Sequence, residues 1–318
     1  MSKPVLTAGL MVALALAILV GIAIGPVSLR HMPTESVHLI LSLRFARLCA
    51  AAVVGICLGA AGAALQGALA NPLADPYILG VSSGAGLGAA SAVALCPVAV
   101  LPIALPGLAI AGSLLAMGLV VGGVRIVGRH SPADFLLVGI AVNASFSALT
   151  LLMLVTAGPR MNWVILWLMG DFSQASWPQI IGSTIICGLG VSGLMAMGRA
   201  LDAMSLGDET ATSFGFNVAR YRFWVVIVAS ILTATAVSMG GIIGFVALVV
   251  PHIVRLLGIR QYRWLVFLSG MWAALTLVIC DIVARSILPT AELPIGVVTA
   301  LLGTPFFFFL LWRRRHVV

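Results

Sequence analysis

Ten predominantly apolar stretches of 17 to 25 residues follow one another along the chain, at 5–24, 46–69, 79–95, 99–123, 135–157, 178–198, 222–239, 241–258, 265–288 and 294–312. At about 1.5 Å of rise per residue, each is the length a helix needs to cross a hydrocarbon core of about 30 Å. The expected fold is therefore an all-α polytopic membrane protein of about ten transmembrane helices, with both termini on one side. The first run is longer than the apolar part of a cleaved leader, so it reads as the first span. The seventh and eighth runs meet at Gly240-Gly241, which makes their boundary the least defined.

Only 8% of the 318 residues are charged, against about 25% in soluble domains. The net charge of +8 does not point to nucleic acid, because the basic residues stand singly between apolar runs and act as topology signals. With the N-terminus inside, twelve Lys and Arg face the cytoplasm and five face out: Arg30, Arg44, Arg47, Arg160 and Arg285. No polar linker divides the chain, so 1–318 reads as one membrane domain. Glycine pairs four apart, such as Gly55/Gly59, Gly84/Gly88, Gly118/Gly122 and Gly240/Gly244, fit helices that approach closely. The five cysteines have no CxxC spacing and read as buried thiols.

The longest charged interruption, 199–222, reads as a cytoplasmic coupling segment. Gly207 precedes two carboxylates, Asp208 and Glu209, that suit a helix N-terminus. Leu206, Ala211 and Phe214 form an apolar stripe offered to a partner, and the alternative is a solvated helix without one.

Few motifs suggest chemistry. Gly80-Val81-Ser82-Ser83-Gly84 has the nucleophile-elbow spacing of a hydrolase, but no expected strand precedes it. Gly188-x-Gly190-x-x-Gly193 lies in an apolar helix without a βαβ context. Lys3 is the single lysine, so no P-loop exists and ATP must be hydrolysed by another polypeptide. An ion-coupled transporter would need acidic or histidine relays at depth, and only Asp281 and His252 are candidates. Asp281 is four residues from Arg285, which suits a helix-surface ion pair. His31 and His38, in an outer loop, are a weak pattern for metal or haem. Trp163, Trp167 and Trp177 mark a membrane boundary. Among the polar residues inside spans, Gln66, Asn143, Ser145, Ser147 and Thr150 need inter-helix partners or a wet path. Asn143, Ser147 and Thr150 share one helix face and are the path-lining candidates.

Several strings together resemble the permease subunits of bacterial ABC importers for vitamin B12, haem and iron–siderophores. They are Asn71-Pro72-Leu73-Ala74-Asp75-Pro76, Leu206-Gly207 with Gly215, Gly244-Phe245, Pro251-His252-x-x-Arg255, Asp281 to Arg285, Glu292-Leu293-Pro294-x-Gly296 and Gly303-x-Pro305-Phe306, in that order from about Arg44 to the C-terminus.

The resemblance implies a type II ABC importer permease in the bacterial inner membrane. It also implies a second permease subunit, identical or paralogous, two cytosolic ATPases that hold ATP and Mg, and an external solute-binding protein. It assigns ATPase coupling to Leu206, Gly207, Asp208, Glu209, Phe214 and Gly215. The cytoplasmic gate falls to Asn71, Leu73 and Ser131, and binding-protein docking to Arg44, Arg47 and Arg285. It implies no metal or cofactor in this chain. A metal chelate, iron–siderophore or haem, is the expected cargo, with cobalamin as the alternative. One departure stands out: Arg44-Phe45-Ala46-Arg47 keeps the family's arginine spacing and lacks its proline.

Overall fold

The computed structural model describes residues 3–25, 34–127, 131–288 and 292–315; Arg30, His31 and Arg129 lie outside them. All regular structure among these residues is helical. In chain order it comprises α1 (Lys3–Ala23), α2 (Thr34–Ala68), α3 (Val81–Leu95), α4 (Leu101–Val127), α5 (Pro132–Ala157), α6 (Met161–Leu168) and α7 (Trp177–Ala196). There follow α8 (Gly198–Met204), α9 (Asp208–Ser213), α10 (Val218–Gly240), α11 (Val246–Leu256), α12 (Tyr262–Ser286) and α13 (Ile295–Arg315). Helices α1, α2, α4, α5, α7, α10 and α12 are long and apolar enough to cross a membrane; α3, α11 and the part Ile295–Phe306 of α13 are shorter apolar stretches. Together they account for the ten expected runs.

Helix α2 lies at the centre, packed against α12, α10, α11 and α7. Its glycines explain how: a Cβ on Gly59 would lie 2.2 Å from the Ser269 carbonyl oxygen of α12, so the two backbones touch. Gly84 and Gly88 of α3 meet α4 in the same way, whereas Gly118 and Gly122 face open space.

Four boundaries differ from the sequence reading. Helix α2 begins at Thr34 and not near residue 46, because no proline interrupts Arg44–Arg47 and the helix runs through them; His38 is thus helical. A short helix, α6, occupies the expected loop after α5. The single helix expected over 206–215 is a turn followed by six-residue α9, with Gly207 at φ +116, a conformation open to glycine. Finally, the run 241–258 is helical only from Val246. Residues 241–245 are non-helical, with Gly241 and Phe245 at positive φ, and lead into an eleven-residue helix.

Candidate translocation path and partner surfaces

A non-helical segment inside a membrane fold needs partners for its peptide groups, and 241–245 finds them in the break after α6 and in Tyr77, while the break before α13 bonds to the same residues after α6. Ile242 N donates to Leu168 O (3.3 Å) and Asp171 N to Gly240 O (3.2 Å). Ile295 N donates to Gly170 O and Gly296 N to Met169 O, both at 3.0 Å. The Tyr77 hydroxyl closes the set, donating to Ile243 O (3.0 Å) and accepting from Ile243 N (3.1 Å). Three breaks, after α6, after α10 and before α13, therefore meet at one place. Beside them opens a cavity of about 540 Å³ lined by Met169, Ile242, Gly296, Ala300, Thr304 and Pro305 among others, almost wholly apolar. Sequence reasoning missed these residues. The usable signal was the clustering of glycine and proline at 240–244 and 294–296, which marks non-helical backbone within apolar runs.

The path candidates on α5 lie elsewhere. Thr150 is buried and back-bonds to Phe146 O (2.8 Å), Asn143 is half-buried, and Ser147 is exposed. They straddle the edge of the buried face of α5, and none lines the cavity. Ser145 is exposed and bonds to Ala141 O.

The loop after α2 is a stack of local turns. Asn71 Oδ1 accepts from Leu73 N (2.9 Å), and Asp75 caps a 3-10 turn, Pro76–Leu79, by accepting from Tyr77 N (2.8 Å). Loss of solvent pushes the Asp75 carboxyl up to about 6, against the opposing pull of that N–H. Leu73 is 41% exposed. Ser131 caps α5 in a reciprocal box with Asp134. Asn71 and Ser131 thus hold their own turns, and no hydrogen bond among those above joins them.

Pro251 lies inside α11 and cannot donate to Ala247 O. Gln66 of α2 supplies the missing donor: its Nε2 lies 3.4 Å from Ala247 O and 3.2 Å from Leu248 O, while its Oε1 accepts from Arg255 Nη1 at 2.7 Å. One turn away Gly62 admits the Ala247 carbonyl, which a Cβ would meet at 2.0 Å. Gln66→Leu should lower stability by about 1–3 kcal/mol, because it strands the Ala247 carbonyl and takes from the Arg255 guanidinium its nearest acceptor. Thermal unfolding in detergent checks this, and an unchanged midpoint would mean the amide holds nothing.

At the opposite end of α2, the three arginines assigned to docking gather, but turn inward. Arg47 Nε pairs with Asp281 (2.6 Å), Nη1 with Glu292 (2.6 Å), and Nη2 lies 3.6 Å from Asp171. Arg285 Nε lies 3.0 Å from the other Asp281 oxygen, so the expected i,i+4 pair forms and a second arginine joins it. Arg44 donates to Ile22 O (3.0 Å) and Arg285 to Gly21 O (3.1 Å), covering carbonyls at the C-terminal end of α1. None of the three is more than 7% exposed. The solvent-facing members of the cluster are the carboxylates of Asp171 and Glu292, at 41% and 40%. Phe45, between the arginines, stacks on Trp177.

The apolar stripe of the coupling segment divides. Ala211 is fully buried and anchors α9, whereas Leu206 and Phe214 are 69% and 64% exposed. Asp208 pairs with Arg222 of α10 at 2.6 Å, and Glu209 is exposed. Gly215 follows at φ +84. Asp202 of α8 caps α12 by accepting from Tyr262 N (2.7 Å), and burial raises its pKa. Ser82 is buried in α3, and His252 stacks edge-on against Phe306.

A family profile for the FecCD transport family matches residues 9–313. The chain belongs to that family. It is 37% identical to the vitamin B12 import system permease protein BtuC of Vibrio vulnificus, over 98% of this chain and 93% of that protein. It is 35% identical to the Fe(3+) dicitrate transport system permease protein FecD of Escherichia coli, over 88% and 87%. An inward-facing structure of a metal-chelate type ABC transporter superposes with a TM-score of 0.85 at 28% identity, covering 98% and 99%. The FecCD protein described here is thus a multi-pass permease subunit of an ABC transporter, with the type II importer fold. The transport reading stands, and the hydrolase and secondary-transporter alternatives give way to it.

Proposed function

We propose that this permease imports a metal chelate across the bacterial inner membrane, driven by a separate ATPase that binds ATP and Mg. The observation that carries the coupling half of this reading is the pair of exposed apolar side chains, Leu206 and Phe214, on a segment held by buried Ala211. Apolar anchors on a short helix suit a groove in a soluble partner, with Gly207, Asp208, Glu209 and Gly215 shaping the turn. Two ATPases and a second permease, identical or paralogous, complete the unit in this reading. Asn71, Leu73 and Ser131 act at the cytoplasmic gate. The apolar cavity wall suits a bulky chelate, iron–siderophore, haem or cobalamin, whose selection rests on shape. An external binding protein docks near Arg44, Arg47 and Arg285, reaching Arg47 by displacing its exposed partners Asp171 and Glu292.

Both termini face the cytoplasm in this reading. In a cysteine-free background, a single cysteine at Ser36 should react with an impermeant thiol reagent added outside intact cells, and cysteines at Ser131 and Thr212 should react only after permeabilisation. Reaction of Thr212→Cys from outside inverts the arrangement and removes the ATPase from this face.

A further inference from the structure

The turn that offers Leu206 and Phe214, and the loop that follows α2, are joined through one buried side chain. Arg222 stands near the N-terminal end of α10 and is 2% exposed. A cation gains nothing from the helix dipole there, and a buried one has to be held by partners. Its Nη2 donates to Asp208 Oδ1 at 2.6 Å, and its Nε donates to Ala68 O at 2.8 Å. Asp208 is the first residue of α9. Ala68 is the last residue of α2, so its carbonyl has no partner within the helix. Two residues on, Ala70 adopts φ +45 and the Asn71–Gly80 loop begins.

A guanidinium is flat and rigid, so bonds from two of its edges fix its orientation. A shift of Asp208 either drags the carbonyl of Ala68 or breaks the ion pair of a buried charge. We propose that Arg222 is the positioning residue that transmits movement of the ATPase-facing turn to the loop after α2. This inference rests on the reading of 206–215 as the ATPase contact. A plain capping role for Arg222 is the competing account.

The test separates them. With the five native cysteines replaced, a single Leu73→Cys reports on the loop, since Leu73 is 41% exposed. Complexes captured through a tag on the co-expressed ATPase are labelled with a thiol reagent, without nucleotide and with ATP plus vanadate. The parent complex should show a nucleotide-dependent change in labelling rate of about ten-fold, within the usual range of coupling between sites. Arg222→Gln and Asp208→Asn should each reduce it to less than about two-fold, and Arg222→Lys should fall between. Asp208→Asn is decisive, because it leaves Ala68 O with its donor and so preserves the cap. A parent-like response in Asp208→Asn overturns the inference, as does failure of both Arg222→Gln and Asp208→Asn to be captured, which would make the pair a mere anchor of α9. Phe214→Asp isolates the underlying reading: normal capture of that variant removes the ATPase contact and the relay with it. Its loss, beside a full response in Asp208→Asn, removes the relay alone.

Discussion

Asp281→Ala should be the most damaging single substitution in the chain, costing about 3–5 kcal/mol and preventing accumulation in the membrane. Asp281 is fully buried and faces both Arg47 and Arg285, so its removal leaves two guanidiniums inside the fold without their counter-charge. Asp281→Asn should do nearly as much harm, since it keeps the shape and loses the charge. Glu292→Ala, which removes a carboxylate that is 40% exposed, should cost less than about 1 kcal/mol. Yield after solubilisation and the thermal midpoint in detergent measure all three. Equal, small losses for Asp281→Asn and Glu292→Ala would mean that the cluster is a surface network and not a structural centre.

Phe214→Asp should abolish function by a different route. Phe214 is 64% exposed in the permease, so the substitution should leave its own thermal midpoint unchanged. In the complex it places a charge where an aromatic anchor is wanted, and loss of such an anchor typically costs 2 kcal/mol or more, about thirty-fold in affinity. Capture of the ATPase by tagged permease should fall by about that factor, and ATP-driven uptake with it. Full capture with normal uptake would show that the 206–215 turn is solvated and bare.

The two substitutions fall on features that were unequally legible in the sequence. Span positions were legible because length and apolarity alone define them, and seven long helices lie where the runs predict. The break at 241–245 was hidden because hydropathy does not distinguish irregular from helical backbone; Gly-Gly-Ile-Ile-Gly-Phe reads as greasy either way. The Asp281–Arg285 pair was visible at its spacing of four, while Arg47, 234 positions away from Asp281, was not. For the same reason Arg44, Arg47 and Arg285 read as an exposed docking patch. Sequence shows that a charge departs from the topology trend, but which way it turns depends on partners from α1, α12 and the segment before α13. In the coupling segment, spacing placed Leu206, Ala211 and Phe214 on one stripe; the positive φ of Gly207 takes Leu206 out of the helix and leaves Ala211 alone facing the core.

Gln66 and Pro251 are matched across two helices. The amide of one residue stands in for the peptide hydrogen that the other removed, so the two positions cannot drift independently. Pro251 without the amide would leave a bare carbonyl in an apolar interior, whereas Gln66 without the proline would still accept from Arg255. The dependence runs one way: the ring at 251 needs the amide at 66, and the amide would keep its own acceptor role without the ring.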